Sequence, residues 1–468
     1  MINCRNLQQP GAKTIREGET KFHLRGDSVD NVRLLEMLLE GTEGEVSIDP
    51  NRAMIKLAET LLSGGRLRRD MDLAQVLFAQ TPPTDQVPFL PMHRLMGAEE
   101  TKACQEAFAL VADSGQFTSG PHAPRLEEAL CEFLGCRATI LCSSGTDALI
   151  VVLHALGIGS GDEVIIPGNS FAATENAILA VGAVPVLGDV EEATFLLDAS
   201  KLERVVTART RLILPVHLYG QLADMPKIRR VSDSLGVRLL EDACQSLGAT
   251  GMGRHSDAAV LSFNPFKNLG FCGKARAIVT QDPALETRCR MISYHGFELG
   301  KKNIKTEGFG FNARIDDLQA AIGWAKLPYL ALNNFRRLFL AWRYLILLKD
   351  LVRSGKILAP SMVDRHVWHL FPVQILDRDR DQVRRDLLER HHVETEIYYP
   401  RLTHQQDTPL QKTYYSDTRC PVTEKLHQRL MNLPLYPGMT LGEQDRVVEA
   451  MEMVLAKPAP NREKARSS

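Results

Sequence analysis

From about residue 98 onward, short apolar runs alternate with stretches of helical spacing. Residues 138–144 (ATILCSS) read as a strand and 146–158 (TDALIVVLHALGI) as a helix. The rhythm repeats in 162–168 (DEVIIPG), 173–182 (ATENAILAVG) and 184–190 (VPVLGDV). It continues through 211–220 (RLILPVHLYG), 225–236 (MPKIRRVSDSLG) and 237–244 (VRLLEDAC), and 258–263 (AAVLSF) closes the series. Buried apolar runs separated by amphipathic helices predict βαβ units, hence an α/β fold with a mainly parallel, doubly wound sheet. Ligands in such a sheet bind beyond the carboxyl ends of the strands, so the residues just after each apolar run carry the functional information.

The pattern changes near residue 335. A helical block (338–353), an apolar run (367–376), a second helical stretch (381–392), the segment VETEIYYP (393–400) and a final helix (443–455) predict a smaller α+β domain. Upstream, 31–40 and 51–62 have helical apolar spacing, interrupted by Gly64-Gly65 and a basic cluster at 66–69. Residues 81–91 (TPPTDQVPFLP) hold four prolines, which stiffen a connector. The resulting division is an N-terminal extension with connector (1–90), a large domain (91–334), a small C-terminal domain (335–457) and a polar tail (458–468).

Composition narrows the class. Of 468 residues, 44% are apolar and 24% charged, with a net charge of −1, so no overall field draws the chain to nucleic acid or an acidic membrane. No run reaches the ~20 apolar residues of a membrane span, the longest being broken by His154 and Arg343. The nine cysteines include no C-x-x-C pair, and the nearest two, Cys131 and Cys136, lack histidine partners at zinc spacing. They read as reduced thiols of a cytoplasmic protein without a metal site.

Four segments at strand ends or helix starts carry the candidate chemistry. CSSGTDAL (142–149) is a small-residue turn entering a helix, whose backbone N–H groups suit a phosphate; alone, such a segment is more often an ordinary helix cap. LLEDACQ (239–245) ends a buried strand in Glu241-Asp242, where an aspartate is placed either to meet a protonated ring nitrogen or to cap a turn. VLSFNPFKNLG (260–270) sets Lys267 five residues after Ser262, beside Phe266, where desolvation lowers an amine's pKa and makes it nucleophilic. GFGFNARIDDLQAAIG (308–323) brings Asn312 just before a helix.

Taken in order with Phe171 of PGNSFAATENA, these segments resemble the fold-type I enzymes that use pyridoxal 5′-phosphate (PLP). More closely they resemble the DegT/DnrJ/EryC1/StrS sugar aminotransferases, over roughly 88–457. The resemblance extends to GQFTSGPHAPRLEEAL (115–130), YHGF (294–297), YYPRLTHQQ (398–406) and LPLYPGMTLGEQDRV (433–447). It implies that Lys267 holds the cofactor covalently and then relays a proton, and that Asp242 keeps the pyridine nitrogen protonated. Gln245 would sit near the ring hydroxyl and Phe171 would stack on the ring. Gly145, Thr146 and Ser262 would hold the phosphate, with Asn312 reaching it from the neighbouring subunit of a homodimer. The branch most similar, which also carries an N-terminal extension, uses glutamate to aminate 3-oxo-glucose 6-phosphate, giving kanosamine 6-phosphate for aminosugar antibiotics.

One departure stands out. Many family members have two glycines after the lysine, whereas this chain reads CGKARAIVT, with Ala275-Arg276 in their place. Lys274 and Arg276 therefore add positive charge suited to a substrate phosphate, unless they point to solvent. His295, Tyr399 and His404 are further candidate sugar contacts. The alternative substrate is a nucleotide-linked 3- or 4-keto-sugar. A sugar dehydratase dependent on pyridoxamine phosphate is disfavoured because those relatives replace the lysine. A non-catalytic PLP-binding regulator is disfavoured because Lys267 and Asp242 are both intact.

Overall fold

The computed structural model describes residues 85–363 and 365–456, so the expectations for residues 1–84 and for the polar tail fall outside the described residues. Seven strands form the large sheet: β1 (Ala138–Cys142), β2 (Glu163–Pro167), β3 (Val184–Gly188), β4 (Thr210–Ile213), β5 (Arg238–Asp242), β6 (Ala258–Ser262) and β7 (Arg276–Thr280). Their order is β1-β7-β6-β5-β4-β2-β3. Strands β3, β2, β4, β5 and β6 run parallel, and β7 is antiparallel to both β6 and β1. The first six strands are those read from the apolar pattern. Strand β7 is additional: Arg276 opens it and Thr280 closes it, so its apolar run is only Ala277–Val279 and gives little sign of a strand.

The period of two along each strand sorts the layers. Ile140, Val164, Leu240, Val260 and Ile278 face one side, packing on α3 (Gly145–Ala155), α4 (Ala172–Ala180) and α6 (Pro283–Ser293). Leu141, Ala259, Leu261 and Val279 face the other, packing on α2 (His122–Leu134) and α7 (Asp317–Lys326), with α1 (Ala98–Ser114) lying outside α7. Helix α5 (Met225–Leu235) covers Ile165, Ile213 and Leu239 on that same side. Each fully buried Leu, Ile or Val contributes about 1.5–3 kcal/mol, so both faces of the sheet are strongly fixed.

The chain then enters the small unit through α8 (Leu330–Leu347), which breaks before α9 (Lys349–Arg353). A three-stranded antiparallel sheet, β8 (Ile357–Leu358), β9 (Phe371–Ile375) and β10 (Leu430–Leu433), is ordered β10-β9-β8. It is accompanied by α10 (Arg380–His391), α11 (Pro409–Tyr415), α12 (Pro421–His427) and α13 (Leu441–Ala456).

Only the second half of the apolar run at 367–376 is strand. Residues 366–370 instead lie against the large unit: Val367 N–H donates to Gly220 O and Leu370 N–H to Tyr219 O. Gly220 has φ +102°, and a Cβ there would sit 2.8 Å from the His369 backbone nitrogen, so glycine is required for this approach. On the far side, the buried Arg337 guanidinium donates to the carbonyls of Trp368, His369 and Leu435 at 3.4, 3.0 and 3.1 Å. The described end of the connector is also fastened here: Val87 bridges Val393, and Arg94 pairs with Glu443 at 2.7 Å. Among the described residues no helix is long and apolar enough to cross a membrane.

Candidate active site

The carboxyl ends of β5 and β6 and the start of β7 lie at one edge of the large sheet, and the candidate residues gather there. Lys267 rides on the loop from Phe263 to Phe271. The rings of Phe263 and Phe271 are parallel at 4.5 Å, and Phe271 N–H donates to Phe263 O at 2.9 Å. A Cβ on Gly270 would lie 2.0 Å from Pro265 O, so the loop closes this tightly only with glycine there. The Lys267 N–H donates to Asn264 O, fixing the turn that presents the side chain. Burial pulls the Lys267 amine down to about 8; Arg276 adds to the fall, while Cys244 and Asp242 oppose it. The amine is thus poised to act as a nucleophile and proton carrier near neutral pH.

Asp242 and Glu241 are neighbours on β5 and therefore face opposite sides of the sheet. Glu241 is structural: it accepts from His217 Nε2 (2.8 Å), Ser256 Oγ (2.6 Å) and Gly253 N–H (3.0 Å). Asp242 turns to the site, where one carboxylate oxygen accepts from Thr174 Oγ1 at 2.8 Å and the other from Cys244 N–H at 3.2 Å. A buried carboxylate held on both oxygens is fixed in orientation, as a partner for a ring nitrogen must be.

Gln245 Oε1 accepts from Tyr219 N–H at 2.8 Å, and its Nε2 donates to the Tyr399 hydroxyl at 3.2 Å. Tyr399 leans on Phe171 with ring centroids 5.3 Å apart. Phe171 is 51% exposed although it sits at the start of α4, one turn before Thr174. Its open ring beside an otherwise buried set of polar groups suits stacking on a planar ligand.

The start of α3 is the part of the site suited to a phosphate. Ser144 caps it, accepting from Asp147 N–H at 3.3 Å, and the Gly145 and Thr146 N–H groups belong to the first turn, which has no intrahelical acceptors. Ser262 is buried at the end of β6. Arg276 is buried as well, with one guanidinium nitrogen against Cys244 Sγ and Nε without a partner. Lys274, by contrast, is exposed. These features fit PLP: an amine, an aromatic face, a carboxylate suited to the ring nitrogen and an N–H-lined helix start suited to the phosphate.

The remaining candidates make no side-chain hydrogen bond to this cluster among the described residues, although Ala313, next to Asn312, accepts from Ser143 N–H at 2.9 Å. Asn312 is exposed, bridges Tyr294 through its backbone and makes no side-chain hydrogen bond among the described residues. His295 has φ +58° and stands in an aromatic group with Tyr294 and Phe297, at 5.6 and 5.3 Å. His404 donates from Nε2 to Glu424 at 3.0 Å and lines a side cavity of about 300 Å³ with Gln411, Lys412, Tyr415 and Arg419.

Sequence reasoning missed Thr174, Cys244, Asn268 and His369. Asn268 Nδ2 donates to Asn334 Oδ1 (2.7 Å) and Val367 O (3.0 Å), so its Oδ1 accepts from His369 Nδ1 at 3.1 Å. Burial, with the Lys267 charge adding to it, holds His369 well below the usual histidine range, so the ring stays neutral beside the lysine. Thr174 had a local signal, one helical turn after Phe171; His369 had none, being 101 residues from Asn268.

Comparison with known proteins agrees with this geometry. The profile of the DegT/DnrJ/EryC1/StrS aminotransferase family matches residues 98–452. The 3-oxo-glucose-6-phosphate:glutamate aminotransferase of Bacillus subtilis is 43% identical over 439 residues, covering 93% of this chain and 98% of the relative. The UDP-N-acetyl-3-dehydro-alpha-D-glucosamine 3-aminotransferase of Acidithiobacillus ferrooxidans is 36% identical over 352 residues, covering 74% of this chain and 92% of the relative. The crystal structure of NtdA from Bacillus subtilis with bound cofactor PMP superposes with a TM-score of 0.82 at 42% identity, covering 91% and 98% of the two chains.

The lowered Lys267 pKa has a direct consequence for the cofactor-free protein. Only the neutral amine attacks an aldehyde, so PLP capture accelerates as pH rises through about 8 and levels off above it. Stopped-flow absorbance against pH measures this midpoint; a value near that of a solvated lysine would show that the enclosure does not act on the amine.

Proposed function

The chain belongs to the DegT/DnrJ/EryC1/StrS aminotransferase family, and on that premise we propose that it moves an amino group from glutamate to 3-oxo-glucose 6-phosphate, giving kanosamine 6-phosphate. The observation that carries the substrate assignment is coverage. An alignment over 93% of the chain cannot be supplied by residues 91–468 alone, so it reaches into the N-terminal extension, whereas the nucleotide-sugar relative covers 74%.

PLP supplies the electron sink that stabilises negative charge at the carbon losing its proton. The chain's own residues do the rest. Lys267 carries the proton to and from that carbon, with a pKa that lets it act as acid and base near pH 8. Asp242, oriented by Thr174 and Cys244 N–H, holds the ring nitrogen protonated. Phe171 would stack on the ring, Gln245 would lie by the ring hydroxyl, and Gly145, Thr146 and Ser262 would hold the phosphate. Both lysine and carboxylate are in place for turnover, which favours an enzyme over a silent PLP-binding regulator.

Asn312 is exposed in the single chain, as a residue donated to a neighbour's site must be. That exposure supports a homodimer with shared sites. The free thiols among the described residues and the sugar-phosphate substrate accord with a cytoplasmic enzyme.

The substrate assignment is tested by kcat/KM with glutamate and purified keto-sugars, following 2-oxoglutarate release. A preference of at least about a hundred-fold for 3-oxo-glucose 6-phosphate over nucleotide-linked 3- and 4-keto-sugars is expected. The reverse preference would keep the chemistry and move the protein to the nucleotide-sugar branch. The shared site is tested by mixing Lys267→Ala and Asn312→Ala subunits. If Asn312 acts across the interface, the hybrid regains one intact site and retains PLP as the wild type does. If it acts within its own subunit, mixing restores nothing.

A further inference from the structure

We propose that Arg276 is a ligand of the cofactor's phosphate, and that it keeps the aminated cofactor in place between the two half-reactions. The inference rests on the PLP reading of the site and not on the identity of the sugar.

The strand register carries it. Arg276 opens β7, the strand lying between β1 and β6, and is paired on one side with Cys142 and on the other with Ser262. Cys142 ends the strand that leads directly into α3, and Ser262 ends the strand that leads to Lys267. Arg276 thus stands between the two elements that furnish the phosphate end. Residues paired in antiparallel register point to the same face of a sheet. That face is the one covered by α3 and α4, and Ile278, two residues on, packs into the same layer.

The guanidinium also lacks what a buried cation needs. Arg276 is 7% exposed, no carboxylate forms an ion pair with it among the described residues, and its Nε is buried without a hydrogen-bond partner. Its one recorded side-chain partner, Cys244 Sγ, is a weak acceptor whose thiol burial pushes further from ionisation. A buried arginine in this state calls for an anion, and a phosphate accepts from its planar fork through two oxygens. The exposed Lys274 supplies no such group at this depth.

The consequence falls on one form of the cofactor. Pyridoxal phosphate is held covalently by Lys267. Pyridoxamine phosphate has no covalent link to the chain, so its retention depends on the phosphate contacts and ring stacking. A cationic ligand in the phosphate end matters most there.

The test uses full-length protein reloaded with pyridoxamine phosphate, with its loss followed by protein fluorescence after dilution. Arg276→Gly should speed that loss roughly ten- to a hundred-fold, the loss expected for one charge-assisted contact. Arg276→Met, which keeps the stem without the charge, carries the same expectation if the glycine variant does not fold. Binding of pyridoxamine without phosphate should be unchanged. Unchanged loss of pyridoxamine phosphate would overturn the proposal, as would equal weakening of phosphate-free pyridoxamine. A rise in KM for the sugar phosphate with cofactor retention intact would assign the guanidinium to the substrate instead.

Discussion

Two cations and one carboxylate share an enclosure at the carboxyl edge of the large sheet without forming an ion pair with one another. Lys267 and Arg276 lie close enough to shift the lysine amine, and Asp242 opposes that shift, yet Asp242 is bonded to Thr174 and Cys244 N–H. Removing charges from water without pairing them costs several kcal/mol each, and that cost is offset only by a ligand carrying the complementary groups. Everything else at the site can be understood as holding this incomplete arrangement rigid. The stacked Phe263 and Phe271 close the lysine loop, Gly270 permits its tight return, and α3 presents unsatisfied N–H groups to the same space.

The small unit completes the enclosure by contacts that are specific in shape. Arg337 gathers the carbonyls of Trp368, His369 and Leu435, so the segment carrying His369 is drawn between the two units. Burial lowers the Arg337 pKa to about 9, and the three carbonyls offer it the hydrogen bonds it loses from water. Gly220 lets the His369 backbone approach, and Asn268, the residue after Lys267, fixes the His369 ring. The link from fold to chemistry is therefore short: domain contact sets His369, and His369 and Asn268 set the ground on which Lys267 stands.

The sheet's parallel strands were legible because each is a buried apolar run in a chain that otherwise alternates with helical periods, and Asp242 and Ser262 stand out as candidates because they end such runs, Lys267 because it follows one. Strand β7 was not, because its apolar run is short and opens on Arg276. Missing it also hid the fate of Arg276: only the register with Ser262 and Cys142 shows that its side chain enters the sheet's ligand face while Lys274, before the strand begins, stays outside. Glu241 and Asp242 were indistinguishable by type, and the two-residue period of the strand separates them. His404 and His369 show the limit of local reading. Each is a histidine beside aromatic or polar residues, but contacts far along the chain place one against Glu424 in a side cavity and the other beside the lysine.

The account turns on Lys267 as the residue that holds the cofactor. The direct measurement is borohydride reduction of the PLP-loaded protein, followed by proteolysis and mass spectrometry of the peptides. The account predicts a single pyridoxyl-bearing peptide, with the added mass on Lys267. A label on another lysine, Lys274 included, or no label in a protein that binds PLP, would contradict it.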